Sequence, residues 1–121
     1  MTTMTQLQLK RGDIALVLFP NSDRVSAKPR PALVVQANDL RTGLSQIVVV
    51  MISSQMMRSG HPSRVTILKS SPEGLQSGLL LDSVVMTDNL ATIILSSVYR
   101  VIGSLPIDAV DIALKHTLDL N

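Results

Sequence analysis

The sequence predicts a small, mainly β domain: a strongly bent antiparallel barrel closed by a C-terminal helix. Three observations predict it. Short apolar runs rich in Val and Ile recur between turn-forming residues through most of the chain. Only the last segment changes period, with Ile107, Val110, Leu114 and Leu118 at helical spacing. The chain has 121 residues, room for one hydrophobic core and not two, so residues 1–121 are expected to form a single domain.

The first run, Ile14 to Phe19, is opened by Arg11-Gly12-Asp13 and closed by Pro20-Asn21-Ser22-Asp23. The second, Ala32 to Val35, follows Lys28-Pro29-Arg30-Pro31, and the third is Ile47 to Ile52. All three are too short for helices and rich in β-branched residues, so they read as strands. They do not alternate strictly between apolar and polar, which predicts burial on both faces. The middle of the chain is richer in turns. Arg58 to Ser63 is a turn cluster, Arg64 to Leu68 a fourth strand, and Ser70 to Gly74 another loop. Leu79 to Leu81 leads into Val84 to Met86, a fifth strand or a pair of short ones. Leu90 to Leu95 and Tyr99 to Ile102 continue the β pattern. Pro106 suits the first turn of a helix, where a missing N–H costs nothing. Asp108 and Asp111 then favour the positive end of the helix dipole, and Asp111 and Lys115 stand at i, i+4. Together these predict a helix over 107–118.

Composition excludes several classes. Apolar residues make up 45% of the chain and charged residues 17%, which rules out a disordered linker. The longest unbroken apolar runs, such as Ile47 to Ile52, fall far short of the ~20 residues a membrane helix needs. Met1 to Leu9 carries no positive charge followed by an apolar block, so no secretory signal is expected. There is no cysteine, hence no disulfide, thiolate cluster or cysteine nucleophile. His61 and His116 are the only imidazoles, too few to favour metal catalysis, and Phe19 and Tyr99 cannot build a stacking platform for single strands. His61 reads as a loop residue, His116 as a solvated helix residue and Asp82 as a turn residue. The apolar excess for so small a domain predicts a subunit interface, most simply a two-fold dimer.

Charge is unevenly placed. Residues 1–70 hold nine Lys or Arg against three acids, a net +6; residues 71–121 hold two against six, a net −4. A basic first half suits an anionic ligand, either nucleic acid or an acidic protein segment, and fits solvated surface charge equally well. Within that half, Asp23, Arg24, Lys28 and Arg30 crowd the link between the first two strands. Arg30 lies between Pro29 and Pro31 at the mouth of the second strand, where a rigid backbone holds a guanidinium at little entropic cost. Ser53, Ser54 and Gln55 end the third strand with hydroxyl and amide groups. If the two strands are neighbours, Arg30 and Ser53 meet at one end of the barrel. From the residues alone, Arg30 reads first as an ordinary surface arginine, and strand termination stays open as the role of Ser53 and Ser54.

Three stretches taken together carry a resemblance: Arg11-Gly-Asp-Ile-Ala-Leu-Val-Leu-Phe-Pro20, Lys28-Pro-Arg-Pro-Ala-Leu-Val-Val35 and the strand ending Ile52-Ser-Ser-Gln55. Gly78-Leu-Leu-Leu-Asp-Ser-Val-Val85 and Asp88-Asn-Leu-Ala-Thr-Ile93 add to it more weakly. On these motifs the chain resembles the MazF/PemK/Kid toxins, endoribonucleases of bacterial type II toxin–antitoxin pairs. The resemblance implies an SH3-like barrel, shared with the gyrase poison CcdB, and a cytoplasmic homodimer with RNA in a groove across the interface. It implies that Arg30 and Ser53 are catalytic and that Arg24, Lys28, Ser54 and Gln55 contact single-stranded RNA. It implies no metal and no cofactor: the RNA 2′-hydroxyl attacks the adjacent phosphorus and a 5′-hydroxyl leaves. The implied protein partner is a cognate antitoxin with an acidic or disordered tail. Two other functions stay open, a CcdB-like binder that poisons a topoisomerase and a family member that binds without cutting. Asn21 to Ala27 departs from the usual loop, and Met86, Asn89 and Ala91 stand where relatives carry other groups. Met86 is often an arginine in relatives, and another usual positive charge is missing near Asn89 and Ala91. These departures predict weaker RNA affinity or slower cutting.

Overall fold

A computed structural model describes residues 8–20 and 27–121. Its strands are β1 (Asp13–Pro20), β2 (Ala27–Val34), β3 (Gln46–Ser53), β4 (Arg64–Ile67), β5 (Ser83–Ile94) and β6 (Val98–Ser104). Its helices are α1 (Pro72–Ser77) and α2 (Asp108–Leu118), with 3-10 turns at Met56–Arg58 and Leu95–Ser97. The strands form one sheet in the order β4-β5-β3-β2-β1-β6, antiparallel at every pairing.

The expected burial of both faces holds for the central strands. Ile14, Leu33, Val50, Ile67 and Val85 meet Val110 of α2 in one core, with Ile102 of β6 packed against it. On the other face Ala15, Val17, Ala32, Val34, Ile47 and Val49 form a second cluster. A strand between two apolar layers has no solvent face, so its sequence loses the period of two.

Three features differ from the expectations. First, β2 starts at Ala27, so Arg30 lies inside the strand rather than at its mouth. Second, β5 is a single strand of 12 residues, not separate pieces. Val50 pairs with Leu90 while the next residue, Met51, pairs with Met86, so Thr87, Asp88 and Asn89 bulge out of the ladder. A bulge of this size bends a strand sharply. Thr87 caps it by donating its hydroxyl to the Ser63 carbonyl at 2.6 Å. Third, residues read as a loop form α1. Ser71 caps it by accepting the Gly74 N–H at 3.0 Å, Pro72 opens it, and Gly78 ends it in the left-handed region at φ 73.

α1 decides how the curl closes. Among the described residues no ladder joins the edge strands β4 and β6. Instead α1, leaving β4, lies against β6: Gln76 Nε2 donates to Ser104 Oγ at 3.1 Å. The backbones meet so closely that a Cβ on Gly103 would stand 2.3 Å from the Ser77 carbonyl oxygen. α2 begins at Asp108 and buries Val110 and Ala113. Asp111 accepts from Arg11 Nη2 at 2.5 Å, while Arg11 Nε donates to the Val35 carbonyl at 2.9 Å. One arginine thus joins the start of the helix to the ends of β1 and β2.

A second arginine secures the bulge. Arg64 grips Asp88 through two bonds, Nε–Oδ1 at 3.0 Å and Nη2–Oδ2 at 2.7 Å. Its remaining nitrogen donates to the Arg58 carbonyl at 2.9 Å. The paired guanidinium holds the Asp88 carboxyl below the usual carboxylate range.

Two outcomes follow from this packing. Gly103→Ala should force α1 away from β6 and destabilise the fold by about 1–3 kcal/mol, the cost of overpacking, as measured by denaturant unfolding. Asp88→Asn should be less stable than the parent at neutral pH. A carboxyl with a depressed folded pKa stabilises above its unfolded value and loses that contribution as the pH falls through the folded one. The difference in Tm should therefore shrink as the pH drops below about 4; a difference independent of pH would contradict the pairing.

Candidate active site

The site begins with two missing N–H groups. Val35 donates its N–H to Val48 of β3 at 3.1 Å, whereas Val34 uses its carbonyl toward the β1 side, accepting from Gly12 at 2.9 Å. Odd-numbered residues of β2 therefore turn their hydrogen-bonding groups toward β3, since direction alternates along a strand. Pro29 and Pro31 occupy odd positions and have nothing to donate. The β2–β3 ladder accordingly stops at Ala32–Met51, while the β1–β2 ladder runs on to Pro20–Ala27. The last pairs, Ala32–Met51, Leu33–Val50 and Val34–Val49, set a register that, extended two residues, places Arg30 across from Ser53. β3 meanwhile stays paired on its other side, Ser53 with Val84. The two strands part where Arg30 and Ser53 face each other.

Ser53 is prepared as a donor. Its Oγ accepts the Gln55 N–H at 3.1 Å, which uses a lone pair, leaves the hydroxyl proton to be given away and orients it. The same turn runs directly into Met56–Arg58, closed by the Arg58 N–H on the Gln55 carbonyl at 3.0 Å. This carries the Arg58 side chain back to the site, where Nη1 meets the Met86 sulfur at 3.6 Å. The expected deficit of charge at Met86 is thus met differently: Met86 is not a cation but holds one.

The parting of the strands opens a cleft of about 700 Å³. Of the residues predicted from sequence, Arg30, Ser53, Lys28, Ser54 and Gln55 all line it. Arg24 lies outside the described residues. Sequence reasoning did not place Arg58 and Arg100 here; both line the cleft. Arg58 follows Gln55 by three residues, a spacing that one 3-10 turn brings onto the same side. Arg100 carried no such signal, because β6 reaches the site only through the order of the sheet. Four cations and no carboxylate appear among the described lining residues. Leu79, Leu80 and Leu81 also line it, as does Asn89 from the β5 bulge. Neither histidine lines the cleft. His61 Nδ1 instead accepts the Ser63 N–H at 3.1 Å, and its ring stands 6.0 Å from that of His116. Asp82 accepts the Lys69 N–H at 2.8 Å, a turn role as expected. Among the described residues no group of three or more His, Cys, Asp or Glu side chains is placed to hold a metal, and no helix is long and apolar enough to cross a membrane.

Comparison with known proteins places this geometry. No curated protein matches the chain by sequence. Among solved structures, the Mycobacterium tuberculosis toxin MazF-mt6 is 26% identical, with TM-score 0.69 over 90% of this chain and 98% of that one. An endoribonuclease in complex with its cognate antitoxin, from a mycobacterial species, is 20% identical, with TM-score 0.70 over 93% and 97% of the two chains. MazE–MazF from Deinococcus radiodurans is 17% identical, with TM-score 0.71 over 96% of this chain and 100% of the matched one. The last two show a shared fold. Residues 10–118 match the family of PemK-like, MazF-like toxins of type II toxin–antitoxin systems. With that match over nearly its whole length, and with the shared architecture of a mainly antiparallel sheet and C-terminal helix, the chain belongs to the PemK-like, MazF-like toxin family.

Proposed function

We propose that this protein is a metal-independent endoribonuclease that cuts single-stranded RNA at a phosphate held between Arg30 and Ser53. The observation that carries the reading is the cleft itself: cations from two strands and a turn, no carboxylate among its described residues, and a hydroxyl donor across from an arginine. Such a wall attracts a polyanion and leaves donors where charge develops.

The reaction needs no bound group. The RNA 2′-oxygen bonds to phosphorus while the P–O5′ bond breaks; the 2′ proton passes to solvent, and the leaving 5′-oxygen takes one up. A cyclic 2′,3′-phosphate and a 5′-hydroxyl result. The phosphorane between them carries extra negative charge on its oxygens. Arg30 stabilises that charge with two parallel N–H bonds and Ser53 with its O–H, each worth a few kcal/mol when preorganised (about 2.7–4 for one oxyanion donor). Arg30 is a clamp and donor, because a guanidinium carries five N–H donors and no acceptor. Lys28, Ser54 and Gln55 border the same phosphate position, and Arg24 belongs to the adjoining link.

A two-fold dimer completes the reading. Leu90 and Ile94 of β5 and Tyr99 of β6 stay 39%, 61% and 67% exposed, apolar side chains that a partner subunit would cover. The antitoxin would then be a chain whose acidic segment enters the cationic cleft and displaces RNA. Relatives seen with antitoxins support this, as do the four cations.

With a long single-stranded RNA and EDTA present, the parent protein should cut. Arg30→Ala should lower the rate ~100-fold or more, and Arg30→Lys should restore little, since an ammonium cannot form the two-pronged contact. Ser53→Ala should be milder and Ser53→Thr close to parental. Circular dichroism checks folding. A folded Arg30→Ala protein cutting at the parental rate would overturn the assignment, and binding without cutting would mark a non-catalytic family member. Sedimentation at micromolar concentration should give about twice 13.1 kDa; a clean monomer would remove the dimer.

A further inference from the structure

The β6 side of the cleft has its own chemistry. Arg100 pairs with Leu16 of β1, and Leu16 pairs with Pro31 of β2. Arg100, Leu16 and Pro31 thus form one row across the sheet, and the β3 position that continues it is Ile52, next to Ser53. Between Arg100 and that end of β3 lie the two strands β1 and β2 and the opening where β2 and β3 part. The same cleft is lined by apolar side chains left in water: Leu80 is 83% exposed and Leu81 60%. The segment that carries them starts against β6. Gly78 sits at φ 73, and a Cβ there would stand 2.1 Å from the Ile102 carbonyl oxygen. Only glycine lets the chain press onto β6 at that point. Among the described lining residues of the cleft there is no aromatic ring.

We propose that Arg100, Leu80 and Leu81 form a second nucleotide subsite, which takes a nucleotide flanking the scissile step; this rests on the reading of the cleft as an RNA site. A nucleotide presents one phosphate charge and one flat, apolar base face. The subsite presents one guanidinium and one leucine shelf. Arg100 grips a phosphate distinct from the one at Ser53, because β1 and β2 stand between its strand and β3. The base rests on Leu80 and Leu81, taking the place of the aromatic platform found in many single-strand binders. The shelf has no hydrogen-bonding groups of its own, so it accepts a base by its face and not by its edge.

The test measures binding apart from cutting. An RNA oligonucleotide carrying a single 2′-deoxy nucleotide at the scissile position cannot be cut and serves as the probe. Its affinity for the intact protein is measured over a range of salt. Arg100→Ala should flatten the slope of log K against log salt by ~0.7, the share of one phosphate on a single strand. Leu80→Ser and Leu81→Ser should each weaken binding several-fold, up to about tenfold, with the slope unchanged, since they remove apolar area and no charge. On a cleavable RNA, Arg100→Ala should raise KM and leave kcat within about twofold. Lys115→Ala on α2, outside the cleft, is the control for net charge. If all three variants bind the probe as the parent does, the subsite does not exist. If they spare RNA and weaken only an acidic leucine-bearing peptide, the surface belongs to a protein segment and the proposal fails. A parent protein that binds the probe through Arg100 but cuts no RNA would overturn the nuclease reading and keep the subsite.

Discussion

Two prolines on one side of one strand organise the site. Pro29 and Pro31 fall where β2 should donate to β3, and a proline has no proton to donate. The sheet stays closed from Ala32 onward and opens before it. The cleft lined by Lys28, Arg30, Ser53, Arg58 and Arg100 lies at that opening. The same prolines leave β2 attached to β1, so among the described residues this stretch of strand pairs with β1 alone. A glycine or serine at these positions would let the ladder continue and close the gap over Arg30. The core can be sealed and the cleft open within two residues because interruption of pairing, unlike loss of packing, is local.

The electrostatics of the cleft follow from convergence. Lys28 and Arg30 arrive on β2, Arg58 on a turn after β3, and Arg100 on the far edge strand. Bringing like charges together costs energy, which solvent and counterions reduce while the cleft is empty. A polyanion bound there, as proposed, would relieve that repulsion. Arg58 shows how such a group is positioned without a carboxylate partner. A sulfur accepts from its guanidinium, and its own carbonyl is held by Arg64, which Asp88 in turn grips. The negative charge stays one residue away from the cleft, where it braces the scaffold without neutralising the site.

The helix α1 leads into another part of the cleft lining. It fills the seam between the edge strands, and its terminal glycine turns the chain tightly enough to start a leucine segment against β6. Closure of the fold and construction of the cleft wall are therefore one event. A protein that closed its sheet by direct pairing of β4 and β6 would have no such segment to place there.

The sequence alone determined most of what is local. Runs of Val and Ile, bounded by turn residues, specified strands; a helical period after Pro106 specified α2; and charge and motif placed Arg30 and Ser53 together. These are decided by backbone preference and by the neighbours of each residue, so they are written in short stretches. The signals for α1 were also present in Ser71-Pro72-Glu73 and Gly78, but a helix of 6 residues is sustained by its contact with β6 more than by its own hydrogen bonds. The union of the two β segments into β5 was equally hidden, because a bulge is defined by the partner strand it slips against. Only tertiary structure decided that Arg58 and Arg100 join the site. Arg100 reaches it because the order β3-β2-β1-β6 lays four strands side by side, and strand order depends on which surfaces bury each other across the whole chain, not on any residue's neighbours in sequence.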